Sequence, residues 1–256
     1  MAPKKLTEHL LAHSPDAFTS ATRHPWLRLA GTSQLPTDSL LAWLTQDRLY
    51  IFSYIPFMGN MLSKTSIPTT SSRIKCLEWR VADCFINALT NVRRELGMFE
   101  DILREHFDWK EGGETVTKET RAYQDMFAGA GAPSQSILVG MTALWATEKC
   151  YLEAWKYALS FKEEVPEEKK SHVLHTTLIP NWTCDEFEEF VVCIGDLLDE
   201  LAEDIPEGSK EWVKCEEVWQ QVLWAEENFW PKKLLASHNK SRGGVVVAYL
   251  VLSLGT

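Results

Sequence analysis

Residues 35–56 read LPTDSLLAWLTQDRLYIFSYIP, and the spacing of their apolar side chains decides the fold class. Leu40, Trp43, Leu44, Asp47, Tyr50, Ile51 and Tyr54 recur at three- and four-residue intervals, which places them on one face of a helix. Leu-Pro-Thr-Asp at 35–38 supplies capping residues for a start near Ser39. Pro56 predicts a kink or an end within the apolar pattern. Asp47 is the anomaly on this stripe. A carboxylate beside Trp43, Tyr50 and Tyr54 is costly unless it is paired. It either forms a salt bridge, to Arg48 or a distant arginine, or faces a pocket as a ligand anchor.

The same helical reading extends outward from this stretch. No proline interrupts the chain between Pro68 and Pro133. Within that window, SSRIKCLEWRVADCFINALTNVRREL (71–96) predicts one long helix ended by Gly97, with Arg93 and Arg94 in its last turn. MFEDILREHF (98–107) then forms a shorter helix, and the polar DWKEGGETVTKET (108–120) a loop. AYQDMFAGAGAP (122–133) closes a short helix on glycines, and SQSILVGMTALWATEKCYLEAWKYALSF (134–161) opens a long one. EEVPEEKKSHVLHTTLIPNW (163–182) reads as a charged turn and a short helix that Pro180 ends. After Asp185 the segment is amphipathic, with Phe187, Phe190, Val191, Ile194, Leu197, Leu198 and Leu201 on one side. Residues 209–238 complete a set of roughly seven to nine helices with no alternating strand pattern. No repeat or composition shift divides them. The expectation is one all-α domain over residues 1–236, followed by an atypical tail at 237–256 whose GGVVVAYLVLSLGT is shorter than the ~20 residues of a membrane span.

Composition excludes several classes. The 256 residues include 11 Trp, 11 Phe and 6 Tyr, enough for a large core, while 13 Gly and 11 Pro are too few for a many-stranded fold. A net charge of -10 repels phosphate backbones, so no nucleic-acid partner is expected, and no membrane one. Six cysteines without a C-x-x-C pair, and no apolar leader at the start, fit reduced thiols in a cytoplasmic protein. There is no G-x-x-x-x-G-K-[ST], G-x-G-x-x-G or G-x-S-x-G. His172 and His175 could face one way, but no carboxylate lies at helical spacing within that turn, so capping and surface roles suit them better than a metal.

Two further segments carry acids in aromatic stripes. In Leu144–Trp155, Glu148 shares a face with Tyr151, Leu152 and Trp155, with Thr147 at its border. A glutamate so flanked can have the raised pKa of a general acid or base. The plain alternative is an i,i+4 surface pair, for which Lys149 is misplaced. In Trp224–Trp230, Glu226 and Phe229 share a face while Glu227 points about a quarter-turn away.

Taken in order, His24-Pro25-Trp26, Gly31, Leu35-Pro36, Gln46-Asp47-x-x-Tyr50, Tyr123, the 143–155 helix and Glu226-x-x-Phe229-Trp230 resemble the TenA (thiaminase II) family. The resemblance covers residues 7–233 and implies a single-domain, heme-oxygenase-like helical bundle without cofactor or metal. It implies a deep pocket for the aminopyrimidine half of thiamin. Asp47 would hydrogen-bond the pyrimidine; Tyr50, Tyr123, Tyr151 and Phe229 would line it, and Glu226 would act as acid/base. Family members are dimers or tetramers, so a homo-oligomer is implied. The nucleophilic cysteine of bacterial-type members falls at Thr147 here. The sequence in this region resembles instead the cysteine-lacking branch, TenA_E, in which a glutamate takes over; Glu148 is the candidate, with Thr147 beside the substrate. One family tyrosine has no match near His175–Trp182, where Trp182 or His175 would take its space. The implied function is salvage of degraded thiamin, converting aminopyrimidine and formylaminopyrimidine to hydroxymethyl pyrimidine. Competing readings are a non-catalytic module that binds a pyrimidine or a partner protein, and a metal-dependent oxygenase, which lacks its E-x-x-H here.

Overall fold

The computed structural model describes residues 5–232, so the expected boundary at 236–237 and the tail beyond it lie outside the described residues. The described chain forms one helical domain without strands. Its helices are α1 (Leu6–His13), α2 (Pro15–Thr22), α3 (Pro25–Gly31), α4 (Thr37–Lys64), α5 (Leu77–His106), α6 (Lys118–Ala130), α7 (Ile137–Leu159), α8 (Ile179–Asn181), α9 (Asp185–Leu201) and α10 (Lys210–Phe229). A π turn at Leu174–Leu178 leads into α8.

Side chains mark several of the starts. Thr117, Ser136 and Ser209 accept the backbone N–H three residues on, at the heads of α6, α7 and α10. His24 Nδ1 accepts the N–H of Trp26 above Pro25, the first residue of α3.

Helix α7 is the hub. It is buried on every side from Leu138 to Thr147, as a helix apolar all round must be, and packs against α10, α9, α3 and α2. Small residues let the neighbours approach. A Cβ on Gly31 would stand 2.2 Å from the Ala158 carbonyl oxygen, and one on Gly140 would stand 2.2 Å from the Met61 sulfur. Helix α4 lies against α5 and α6, and α10 closes the ring against α6 and α7. Between them sits a block of tryptophans: Trp155 stacks on Trp182 at 4.8 Å, Trp26 on Trp230 at 5.3 Å, and Trp43 meets Trp155 edge-on at 5.4 Å. Each is fully buried, where truncation to alanine costs about 3–5 kcal/mol.

Punctuation residues proved weaker than burial. Helix α4 starts at Thr37, two residues before the expected Ser39 and without a side-chain cap, and runs through Pro56 to Lys64. Pro56 and Phe52 both face solvent, so water reaches the carbonyl that proline leaves unpaired, while Phe57, Met58 and Met61 bury the next turn. Likewise α5 begins at Leu77 rather than Ser71 and passes Gly97 unbroken, because Val92, Phe99, Ile102 and Leu103 are buried on both sides of it. The expected pair of helices is one. Helix α6 starts at Lys118, inside the expected loop. The short helix expected before Pro180 is the continuous run 173–181, a π turn and α8, which stops at Asn181, one residue past the proline. Of the six cysteines, Cys84, Cys150 and Cys215 are buried, and Cys184 and Cys193 are exposed.

The two glycines give opposite expectations. Gly97→Ala, with nothing near its would-be Cβ, should raise the unfolding free energy by about 0.5–1 kcal/mol. Gly31→Ala should lower it by at least about 1–3 kcal/mol, because the new methyl meets backbone that cannot rotate aside. Urea unfolding of both variants checks this; a Gly31→Ala protein as stable as the parent would disprove the close α3–α7 contact.

Candidate active site

A cavity of about 870 Å³, mouth included, opens among α4, α5, α6, α7, α9 and α10. All eight residues expected at a site line it: Asp47, Tyr50, Tyr123, Thr147, Glu148, Tyr151, Glu226 and Phe229. Their helical faces explain the convergence. Asp47, Tyr50 and Tyr54 follow the buried stripe of α4, and Thr147, Glu148 and Tyr151 occupy one turn of α7.

Three carboxyl groups are each held by a phenol. The Tyr151 hydroxyl donates to Asp47 Oδ2 at 2.5 Å, Tyr54 to Glu148 Oε1 at 2.7 Å, and Tyr123 to Glu226 Oε1 at 2.5 Å. Tyr50 stands edge-on to Tyr123 at 5.0 Å and to Phe229 at 6.2 Å, so the rings form an aromatic corner. The salt-bridge reading of Asp47 fails. Arg48 pairs instead with Glu100 at 3.1 Å, Glu111 at 3.2 Å and Glu114 at 3.7 Å. Glu148 is no surface pair either, since Lys149 bonds Glu153 at 2.9 Å.

Burial sets the charge state of these acids. It pushes Glu148 up to about 8, against the pull of the Tyr54 hydroxyl, with the Glu95 charge adding to the rise. It pushes Glu226 up to about 8, opposed by Tyr123 and reinforced by Glu148. Asp47 is raised well above the carboxylate range by burial and by the charges of Glu95, Glu226 and Glu148, with Tyr151 opposing. Near neutral pH the site therefore holds protons on carboxyl groups, as general acid catalysis requires.

The one thiol among the lining residues is that of Cys184, at the exposed rim, where Sγ donates to the Asn181 carbonyl at 3.3 Å. The Thr147 hydroxyl is committed to the Ala143 carbonyl of its own helix. Burial holds Cys150 protonated, well above the usual thiol range.

Sequence reading missed two lining acids, Glu186 at the exposed rim and Glu95 further in. Glu95 of α5 lines the cavity and accepts from Trp182 Nε1 at 2.5 Å and Asn181 Nδ2 at 3.4 Å. It falls three residues after Val92 and four before Phe99, both buried, so it interrupts an apolar stripe just as Asp47 does. The helix end expected at Gly97 hid that signal by placing Glu95 in a frayed last turn. Trp182 lines the cavity where the unmatched tyrosine was sought, while His175 is turned away onto Ser33 Oγ at 2.7 Å. His172 Nδ1 accepts the Leu174 N–H, a capping role. Among the described residues no group of three or more His, Cys, Asp or Glu is placed to hold a metal ion.

Residues 16–236 match the TENA/THI-4/PQQC family. The chain belongs to this family. A Glycine max protein named "Probable bifunctional TENA-E protein" is 22% identical over 248 residues, covering 94% of each chain. A Fusarium pseudograminearum protein named "Probable transcription factor" is 29% identical over 262 residues; the match covers 90% of this chain but only 52% of that longer protein. A solved TenA homologue from Pyrococcus furiosus superposes with a TM-score of 0.73 at 24% identity, over 88% of this chain and 98% of its own. That likeness fixes the TenA-type, heme-oxygenase-like fold. Among the described residues no helix is long and apolar enough to cross a membrane.

The raised acids give a pH signature for this TenA-family protein. Their folded pKa values lie above the unfolded ones, so the folded state holds extra protons between about pH 4.3 and 8. Stability is then fully present at the acid end and is lost as pH rises through about 8. Glu148→Gln is neutral throughout and should flatten that decline. Thermal melts of both proteins across this range check it, and parallel profiles would show that Glu148 is not buried as an acid.

Proposed function

We propose that the cavity hydrolyses a C–N bond on a small pyrimidine, converting aminopyrimidine, formylaminopyrimidine or both to hydroxymethyl pyrimidine in thiamin salvage. The observation that carries this reading is the set of three phenol-held carboxyl groups, Asp47–Tyr151, Glu148–Tyr54 and Glu226–Tyr123, in one aromatic cavity. A pyrimidine is flat and bears ring nitrogens and an exocyclic amine, so a carboxyl group and aromatic walls recognise it. Asp47, deep on α4, holds the ring; Tyr50 and Phe229 cover its faces.

Hydrolysis needs a nucleophile and a proton for the departing nitrogen. With threonine at position 147 and the Cys184 thiol out at the rim, the nucleophile is water. Glu148 in its anionic form takes the proton from water as oxygen bonds to carbon, and the C–N electron pair leaves with nitrogen. Glu226 in its acid form supplies the proton to a nitrogen that arrives neutral. Coupling between the two makes this division possible, since the charge of Glu148 raises Glu226 and keeps one protonated while the other ionises. The Glycine max relative, named for the TENA-E type and covered along its length, supports this reading.

The Fusarium relative, named a probable transcription factor, goes with a second reading, a regulatory module that binds a pyrimidine or a partner protein without turnover. Incubation with thiamin, formylaminopyrimidine and aminopyrimidine, following hydroxymethyl pyrimidine, separates them. Turnover of either degraded pyrimidine is expected, and Glu148→Gln should lower kcat by about 10²–10⁴-fold while the protein stays folded by circular dichroism. Binding of hydroxymethyl pyrimidine without turnover of any substrate would establish the binding module instead.

A further inference from the structure

Two cavity acids are left unused by the chemistry above, the exposed Glu186 and the half-buried Glu95, and the partners of Glu95 differ in kind from those of Asp47, Glu148 and Glu226. Phenols can donate or accept, so Asp47, Glu148 and Glu226 can exchange protons with theirs. The indole N–H of Trp182 and the carboxamide N–H of Asn181 can only donate, and both point at one oxygen, Oε1. They favour the anion and cannot return a proton. Trp182 is itself fixed, stacked on Trp155 at 4.8 Å and edge-on to Tyr151 at 5.2 Å, which fixes the carboxylate in turn.

The second oxygen, Oε2, takes no hydrogen bond among the described residues. Arg94 also lines the cavity but is exposed and forms no ion pair with Glu95. Two other lining acids, Asp47 and Glu226, are 4% and 3% exposed, and each likewise keeps one oxygen without a hydrogen-bond partner among the described residues. These free carboxyl oxygens, in a cavity also bordered by Ala88, Val92 and Phe187, leave room for a donor-rich or cationic group of a ligand to complete their hydrogen bonding.

We propose that Glu95 is the subsite for a positively charged amino group on the substrate, so that the cavity selects a pyrimidine bearing a primary alkylamine over its neutral formylated or hydroxymethyl counterparts. This rests on the reading of the cavity as a pyrimidine site and names the residue that sets its preference. A primary alkylamine is cationic at neutral pH, as the lysine value of about 10.4 shows. Held at Glu95, the nitrogen enters with the proton it needs to leave, and the acid role of Glu226 is then required for neutral, acyl-linked substrates. Burial raises Glu95 less than Glu148 or Glu226, to about 7, because its donors and the nearby Arg94 charge oppose the rise.

The test is titration of the whole protein, by quenching of its tryptophan fluorescence, with aminopyrimidine, formylaminopyrimidine and hydroxymethyl pyrimidine. Glu95→Gln keeps the size and the acceptor for Trp182 but removes the charge. Its affinity for the amine should fall about 10- to 100-fold, while that for hydroxymethyl pyrimidine changes by less than about threefold. Trp182→Phe, which removes the N–H donor together with part of the ring stacked on Trp155, should weaken amine binding more than alcohol binding and to a smaller degree, and this amine-to-alcohol ratio decides the matter should Glu95→Gln fail to fold. Equal losses for amine and alcohol, or no loss for either, would overturn the role of Glu95 and leave the pyrimidine reading intact. A parent protein that binds none of the three compounds would overturn both.

Discussion

Burying several carboxyl groups in one apolar cavity is the constraint to which the rest of the molecule is fitted. An isolated buried carboxylate is unstable, so each acid must meet a hydrogen-bond donor from another helix. Helices α4 and α7 solve this reciprocally. Asp47 on α4 receives the hydroxyl of Tyr151 on α7, and Glu148 on α7 receives that of Tyr54 on α4. Each helix contributes one acid and one phenol, so neither can rotate without breaking both bonds. The third pair, Tyr123 with Glu226, ties α6 to α10 in the same way. These bonds define the site and also set the register of the helices around it.

That register is held from below by the tryptophan block. Trp43 lies one turn before Asp47 on α4, Trp155 one turn after Tyr151 on α7, and the two rings touch. Tyr151 is clasped by Trp182 at 5.2 Å, edge-on, and by Trp230 at 6.2 Å, stacked. Rings confined on several sides have few alternative rotamers. The entropy of fixing the catalytic geometry is therefore lost on folding, before any ligand arrives, which is how a preorganised polar site is maintained.

Much of this was legible in the chain because it depends on spacing within one helix. The stripe from Leu40 to Tyr54 shows both the helix and the misplaced Asp47, and Glu148 with Tyr151 or Glu226 with Phe229 can be read from a single turn. What stayed hidden depends on partners far apart in sequence. The Tyr54–Glu148 bond spans 94 residues, and no local pattern distinguishes it from a salt bridge. Glu95 was lost for a different reason. Gly97 looked like a stop, yet the burial of Phe99, Ile102 and Leu103 outweighs the ~1 kcal/mol cost of a helical glycine. Punctuation residues report local preference, and tertiary burial overrides them wherever both flanks have a core to enter.

The same electrostatics bear on the residue that is missing. A nucleophilic thiol works as a thiolate, and the interior of this cavity around Thr147 opposes that form twice, by burial and by like charge. Cys84, beside the site, is pushed up to about 12 by burial, with the charges of Cys193 and Glu148 adding to the rise. Among the lining residues the one permanent cation is Arg94, out at the exposed rim. A thiol at position 147 would meet the same opposition, so an acidic cavity and a threonine there belong together. The acids that make a thiolate costly are those that can take a proton from water. Thr147→Cys without first neutralising Glu148 or Glu226 would add a side chain with no charge state in which to act.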